Sequence, residues 1–116
     1  MAKKIKAIVK RPDEQFGHVT WVSDSLENLQ KTVGGYIETV TLDNGVVLIC
    51  NEEARLRDMP YNFTARKLIG SNAFANLYGQ FPVFGTVIAC GAESDEFADI
   101  PIDFNEWKSL LCEWGN

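Results

Sequence analysis

Carboxylates, thiols and one dense polar stretch are the side chains here that could act on another molecule. Glu52 and Glu53 are the sharpest case, because a carboxylate can serve as a general base or a metal ligand. They are adjacent, however, and successive side chains of an extended chain point to opposite sides, so the two do not by themselves make a paired-carboxylate site. A further acid would have to converge from another segment. Asp58 and Asp95 are available, and nothing in their spacing demands it.

Cys50, Cys90 and Cys112 are far apart, odd in number, and show neither a CxxC pair nor Cys/His zinc spacing. They read as three buried thiols, since free cysteine behaves as a small hydrophobe. His18 is the only histidine, and one imidazole cannot supply a metal cluster. No GxGxxG or GxxxxGK pattern offers a phosphate cradle. The reading therefore implies no cofactor and no metal.

The polar stretch runs from Asn51 to Gly70, NEEARLRDMPYNFTARKLIG. Asn51, Glu53, Arg55, Tyr61, Asn62 and Arg66 combine hydrogen-bond donors, acceptors and an aromatic face in a short span, and are the candidate residues for binding a ligand or partner. The plainer reading makes them solvated loop side chains. A loop of this length is unusual in a small domain unless it binds something. Met59-Pro60-Tyr61-Asn62 would break any helix there, and Thr64 to Leu68 could restart one.

The elements that must hold this stretch centre on Gly34 to Glu53. Tyr36 to Leu42 is rich in β-branched and aromatic residues, with Tyr36, Glu38, Val40 and Leu42 on one side and Ile37, Thr39 and Thr41 on the other. Val46 to Cys50 is continuously apolar, as in a strand covered on both faces. Asn44-Gly45 between them predicts a hairpin with a type I′ turn. Earlier, Ile5 to Val9 and His18 to Val22 read as two antiparallel strands separated by a turn at Pro12. A helix follows, with Asp24 as cap, Glu27 three residues on, Leu26, Leu29 and Val33 along one face, and Gly34-Gly35 ending it.

Ser71 to Phe81 carries no decisive pattern. Pro82 opens the next strand, and Val83 to Cys90 reads as one interior strand with Gly85 at a bulge. Gly91 to Asp99 reads as an acidic turn. Asp103 then caps a last helix, with Glu106 three residues on and Phe104, Trp107, Leu110, Leu111 and Trp114 on its apolar face. The layout predicts an α+β fold: a small, mainly antiparallel sheet of about five strands packed with two or three helices, as a single domain over residues 1–116.

With 116 residues and 46% hydrophobic composition, the chain has material for one core. Eleven basic against sixteen acidic residues give a net charge of −5, which disfavours binding to a nucleic-acid backbone. No stretch has the length of a membrane span or a signal-peptide core, so a cytoplasmic location is expected. Three tryptophans and seven phenylalanines are many for so small a core. A homodimer would use the surplus if Trp114 packed on a second subunit.

Several blocks together resemble a known family. They are Ile5-Lys6-Ala7-Ile8-Val9-Lys10-Arg11-Pro12, Leu26-Glu27-Asn28-Leu29-Gln30, Val33-Gly34-Gly35-Tyr36-Ile37-Glu38, Val47-Leu48-Ile49-Cys50-Asn51-Glu52-Glu53 and Phe84-Gly85-Thr86-Val87. The chain resembles the domain-of-unknown-function family 3846, short proteins of Gram-positive bacteria, their phages and plasmids. The resemblance implies a compact domain carried on mobile elements and brings no catalytic residues with it. The resulting expectation is a non-catalytic binding or interaction domain, an accessory or counter-defence protein that binds a host protein or a small molecule. The alternatives are a small enzyme using Glu52 or Glu53, and a homo-oligomeric structural unit.

Overall fold

In the computed structural model, which describes residues 3–69 and 79–115, the chain folds as α+β with antiparallel sheets of seven and two strands and two helices. The strands are β1 (Lys4–Lys10), β2 (His18–Ser23), β3 (Ile37–Leu42), β4 (Val47–Asn51), β5 (Tyr61–Arg66), β6 (Leu68–Ile69), β7 (Gln80–Phe84), β8 (Val87–Glu93) and β9 (Glu96–Ala98). The helices are α1 (Leu26–Val33) and α2 (Phe104–Glu113). The large sheet has the order β2-β1-β8-β4-β3-β6, with β9 added beside β8; β5 and β7 pair separately.

Alternation along the strands gives the large sheet two apolar faces. Ile5, Ala7, Val9, Val47, Ile49, Ile88 and Cys90 point to the side covered by Leu29 and Val33 of α1. Ile8, Val40, Leu42, Leu48, Cys50, Val87 and Ala89 point to the other side, where a second layer closes over them. That layer is the β5–β7 pair, through Phe63, Ala65, Phe81 and Val83, together with Trp107, Leu111 and Trp114 of α2. Full burial of one such side chain is worth about 1.5–3 kcal/mol. Phe63 anchors the layer: Trp107 meets it edge-on at 5.8 Å and Trp114 stacks on it at 6.0 Å. Trp107 Nε1 also donates to the Phe16 carbonyl at 2.8 Å. Trp114 thus lies inside its own chain's core, and Trp21, 61% exposed, is the tryptophan left on the surface.

Several local expectations change for identifiable reasons. The hairpin forms, but its turn is not type I′. The Leu42 and Val46 backbones bond across a three-residue loop, Gly45 alone takes the left-handed conformation (φ 87°), and Asn44 Oδ1 accepts from Val46 N instead. The cap of α1 is Ser25, accepting from Asn28 N at 3.1 Å, rather than Asp24, and Leu26 is exposed. Asp103 caps α2 as expected, accepting from Glu106 N at 2.8 Å.

Thr64 to Leu68 does not return to a helix, because Tyr61 to Arg66 is strand β5. Val83 to Cys90 is two strands in different sheets. Gly85 (φ 76°) turns the chain from one layer to the other, and a Cβ there would meet Met59 Sδ at 2.9 Å. The acidic turn is the tip of a β8–β9 hairpin, with Ser94 and Asp95 at positive φ. Cys50 and Cys90 are buried, whereas Cys112 is exposed, on the solvent side of α2. Much of the segment without a decisive pattern, residues 70–78, lies outside the described residues.

Candidate functional site

The end of β4 is where buried strand gives way to polar chain, and Asn51 makes that transition rigid. Its Oδ1 accepts from Glu53 N at 2.7 Å, closing an Asx turn, while its Nδ2 donates to the carbonyl of Val33 at the end of α1. Arg57 donates from its guanidinium to the Gly34 carbonyl at 2.8 Å. The turn after β4 is therefore tied to the C-terminus of α1. Met59 N to Ala54 O closes it before β5 begins.

This pinned turn forms one wall of a cleft of about 410 Å³. Glu38, Cys50, Asn51 and Glu52 line it on the β3–β4 side, with Ala54, Arg55 and Leu56 from the turn. Phe81, Pro82, Val83 and Phe84 of β7 form the opposite wall. Glu38 stands directly across the strand pair from Cys50. Burial holds its carboxyl above the usual carboxylate range, the charge of Glu52 pushes it further up, and Arg55 opposes both. No ion pair to Glu38, Glu52 or Arg55 forms among the described residues. Arg55 instead lies over the Phe84 ring at 5.6 Å, and Tyr61 meets that ring edge-on at 5.7 Å.

The thiols offer no nucleophile here. Burial, reinforced by Glu38, keeps Cys50 protonated, and burial lifts the Cys90 thiol to about 12. Among the described residues no group of three His, Cys, Asp or Glu side chains could hold a metal ion, and no helix is long and apolar enough to cross a membrane. A second, shallower depression of about 470 Å³ is bordered by Asp43, Asp103 and the Lys67–Glu113 ion pair at 2.7 Å.

Of the residues singled out in the sequence, Asn51 and Arg55 line the cleft. Asn51 is 3% exposed, and both ends of its amide are engaged in the turn. Glu53 is exposed and does not line the cleft, whereas its neighbour Glu52 does. Tyr61 is exposed at the start of β5, its hydroxyl 2.7 Å from Thr64 Oγ1, and Arg66 is exposed at the other end of that strand.

Asn62 is buried in a different place. Its Nδ2 donates to the carbonyls of Lys10 and Gly85, and its Oδ1 accepts from Lys10 Nζ. The six residues thus divide between the cleft, the surface and an internal node. The acid that joins Glu52 in the cleft is Glu38, not Asp58 or Asp95. Its signal in the sequence was its place on the side of β3 shared with Val40 and Leu42, where a carboxylate breaks the apolar pattern.

A family profile described as a domain of unknown function, DUF3846, matches residues 5–111. No curated protein and no solved structure matches the chain.

Proposed function

The chain belongs to the DUF3846 family, and on that premise we propose that this domain is a binding module whose cleft takes a small amphipathic organic cation. Glu38 is the observation that carries the reading. It is a partly buried carboxylate with no ion pair among the described residues, it shares its cleft with Glu52, and much of the rest of the lining is apolar. A ligand ammonium would relieve the repulsion between the two carboxylates, and an apolar body would lie along Phe81, Val83 and Leu56. The cleft volume falls in the range of about 300–1,000 Å³ typical of small-molecule sites. Arg55 stands ready for an anionic or acceptor group at the rim.

A second reading keeps the chemistry and changes its source, to a lysine or arginine of a host protein. Leu56 favours it, being 85% exposed beside the cleft, as an anchor for a protein surface would be. Either ligand suits an accessory protein of a mobile element that captures a host component. The free thiols Cys50 and Cys90 support a reducing compartment such as the cytoplasm.

Calorimetric titration with 2-phenylethylammonium, beside the uncharged 2-phenylethanol, tests the reading. Saturable binding of the cation alone is expected, weakened about tenfold or more in Glu38→Gln and unchanged in Glu53→Gln. Equal binding of cation and alcohol, or an unaffected Glu38→Gln, would reject it.

A further inference from the structure

Among the described residues three charged side chains line the cleft, Glu38 and Glu52 from the β3–β4 side and Arg55 from the turn, and a simple cation satisfies only the two carboxylates. On the premise that the cleft takes an amphipathic cation, we infer that its occupant also carries a carboxylate: it is an α-amino acid with an apolar side chain, its ammonium on Glu38 and Glu52 and its carboxylate on Arg55.

Register puts the two carboxylates on one face. Glu38 stands opposite Cys50, and Glu52 N donates to the Tyr36 carbonyl, so Glu52 lies diagonally from Glu38, a step of about 7–8 Å in an antiparallel pair. One ammonium, with three donors, can serve both. Arg55 changes what that ammonium feels. Burial and Glu52 hold the Glu38 carboxyl up while Arg55 draws it down, so the guanidinium charge reaches Glu38 and would repel an ammonium bound beside it. A carboxylate on the same ligand turns that repulsion into attraction.

Arg55 and Arg57 are used differently. Arg57 spends its guanidinium on the Gly34 carbonyl, in the tie between the turn and α1. Arg55 forms no ion pair among the described residues, although two carboxylates line the same cleft. It reaches instead to the opposite wall, its Cζ 5.6 Å from the centre of the Phe84 ring. A guanidinium held over an aromatic ring keeps its planar fork of donors for another partner, and that fork matches a carboxylate.

The α-amino acid is the arrangement that suits these walls. Its nitrogen and carboxylate carbon are about 2.5 Å apart, so both charges enter as one compact head. The side chain is left to Phe81 and Val83 on the facing wall and to Leu56. A diamine would set its second ammonium against Arg55 or the apolar wall, and a simple carboxylate would face Glu38 and Glu52 unshielded.

Calorimetric titration of the full chain with L-phenylalanine, 2-phenylethylammonium and 3-phenylpropionate separates the two charges. Phenylalanine should bind about tenfold or more tightly than the ammonium, and 3-phenylpropionate should not bind. In Arg55→Leu, phenylalanine should weaken to the level of the ammonium. Phenylalanine that binds wild type no more tightly than the ammonium would overturn the inference and leave the cation reading standing; absence of binding by either would end both. A 3-phenylpropionate that matches phenylalanine would also overturn it, as would a folded Arg55→Leu protein that keeps the preference. If that variant fails to fold, the wild-type series decides.

Discussion

Lys10 and Glu38 are both charged side chains on the sheet face that carries the larger core, and the molecule treats them in opposite ways. Lys10 is 3% exposed, and its ammonium, held down by burial against the raising effect of Glu14 and Asp13, bonds to Asn62 and sits 5.7 Å above the Phe63 ring. Asn62 spends every polar atom of its side chain there, on the ammonium and on two backbone carbonyls. Such a node locks β5 over the end of β1 and leaves nothing for a ligand. Among the described residues Glu38 has no such partner, and it lines a cleft. A satisfied polar group in a core is architecture; one without a partner beside an opening is where a ligand gains most.

The contrast can be broken most directly at Asn62. Asn62→Leu should strand the ammonium and two carbonyls, costing about 3 kcal/mol by urea denaturation. A loss below about 1 kcal/mol would mean that water reaches the node. Asn51→Ala should cost less, about 1–2 kcal/mol, because it frees the Val33 carbonyl and opens the Asx turn without burying a charge.

Glu38→Gln is expected to act in the opposite direction. The folded-state pKa of Glu38 is raised above its unfolded value, so the native chain binds more protons between the two values, and stability falls as pH rises through that window. The glutamine variant escapes this penalty. It should melt above wild type at pH 7, with the two melting curves converging below the ordinary carboxylate range; a lower melting temperature at pH 7 would place Glu38 with the satisfied groups. The smallest effect belongs to Glu53→Gln, within about 0.5 kcal/mol and without consequence for cation binding, measured by the same denaturation and calorimetry.

Short-range signals were the legible ones. Gly34 ends α1 in the left-handed conformation, Asp103 caps α2, and Trp107, Leu111 and Trp114 face the core, all from spacing within one or two turns. β5 escaped because Pro60 and its polar neighbours mask a period-two pattern, Tyr61, Phe63 and Ala65 against Asn62, Thr64 and Arg66. Asn62 then inverts even that pattern by being buried on Lys10's account. The run Val83 to Cys90 reports apolar surroundings and cannot report that those surroundings belong to two sheets. The cleft was half legible. Asn51 and Arg55 lie in the polar stretch, while Glu38 and the Phe81–Phe84 wall come from strands whose approach only the tertiary fold determines.

The place of β8 in the sheet has a consequence for how the chain acquires its structure. Ala89 is paired with Ile8 on one side and Leu48 on the other, so β8 is the seam that joins the β1–β2 hairpin to the β3–β4 hairpin. Each hairpin closes locally and fast, within about 1–10 μs, yet neither has a partner for its apolar edge until β8 arrives from much later in the chain. On the ribosome the two hairpins therefore emerge without the strand that bonds them into one sheet, and closure of that sheet waits on the synthesis of β8. Refolding should show a slow joining step on the millisecond-to-second scale of non-local β pairing, delayed further by substitutions at Ala89 and little affected by changes in the Asn44-Gly45 turn.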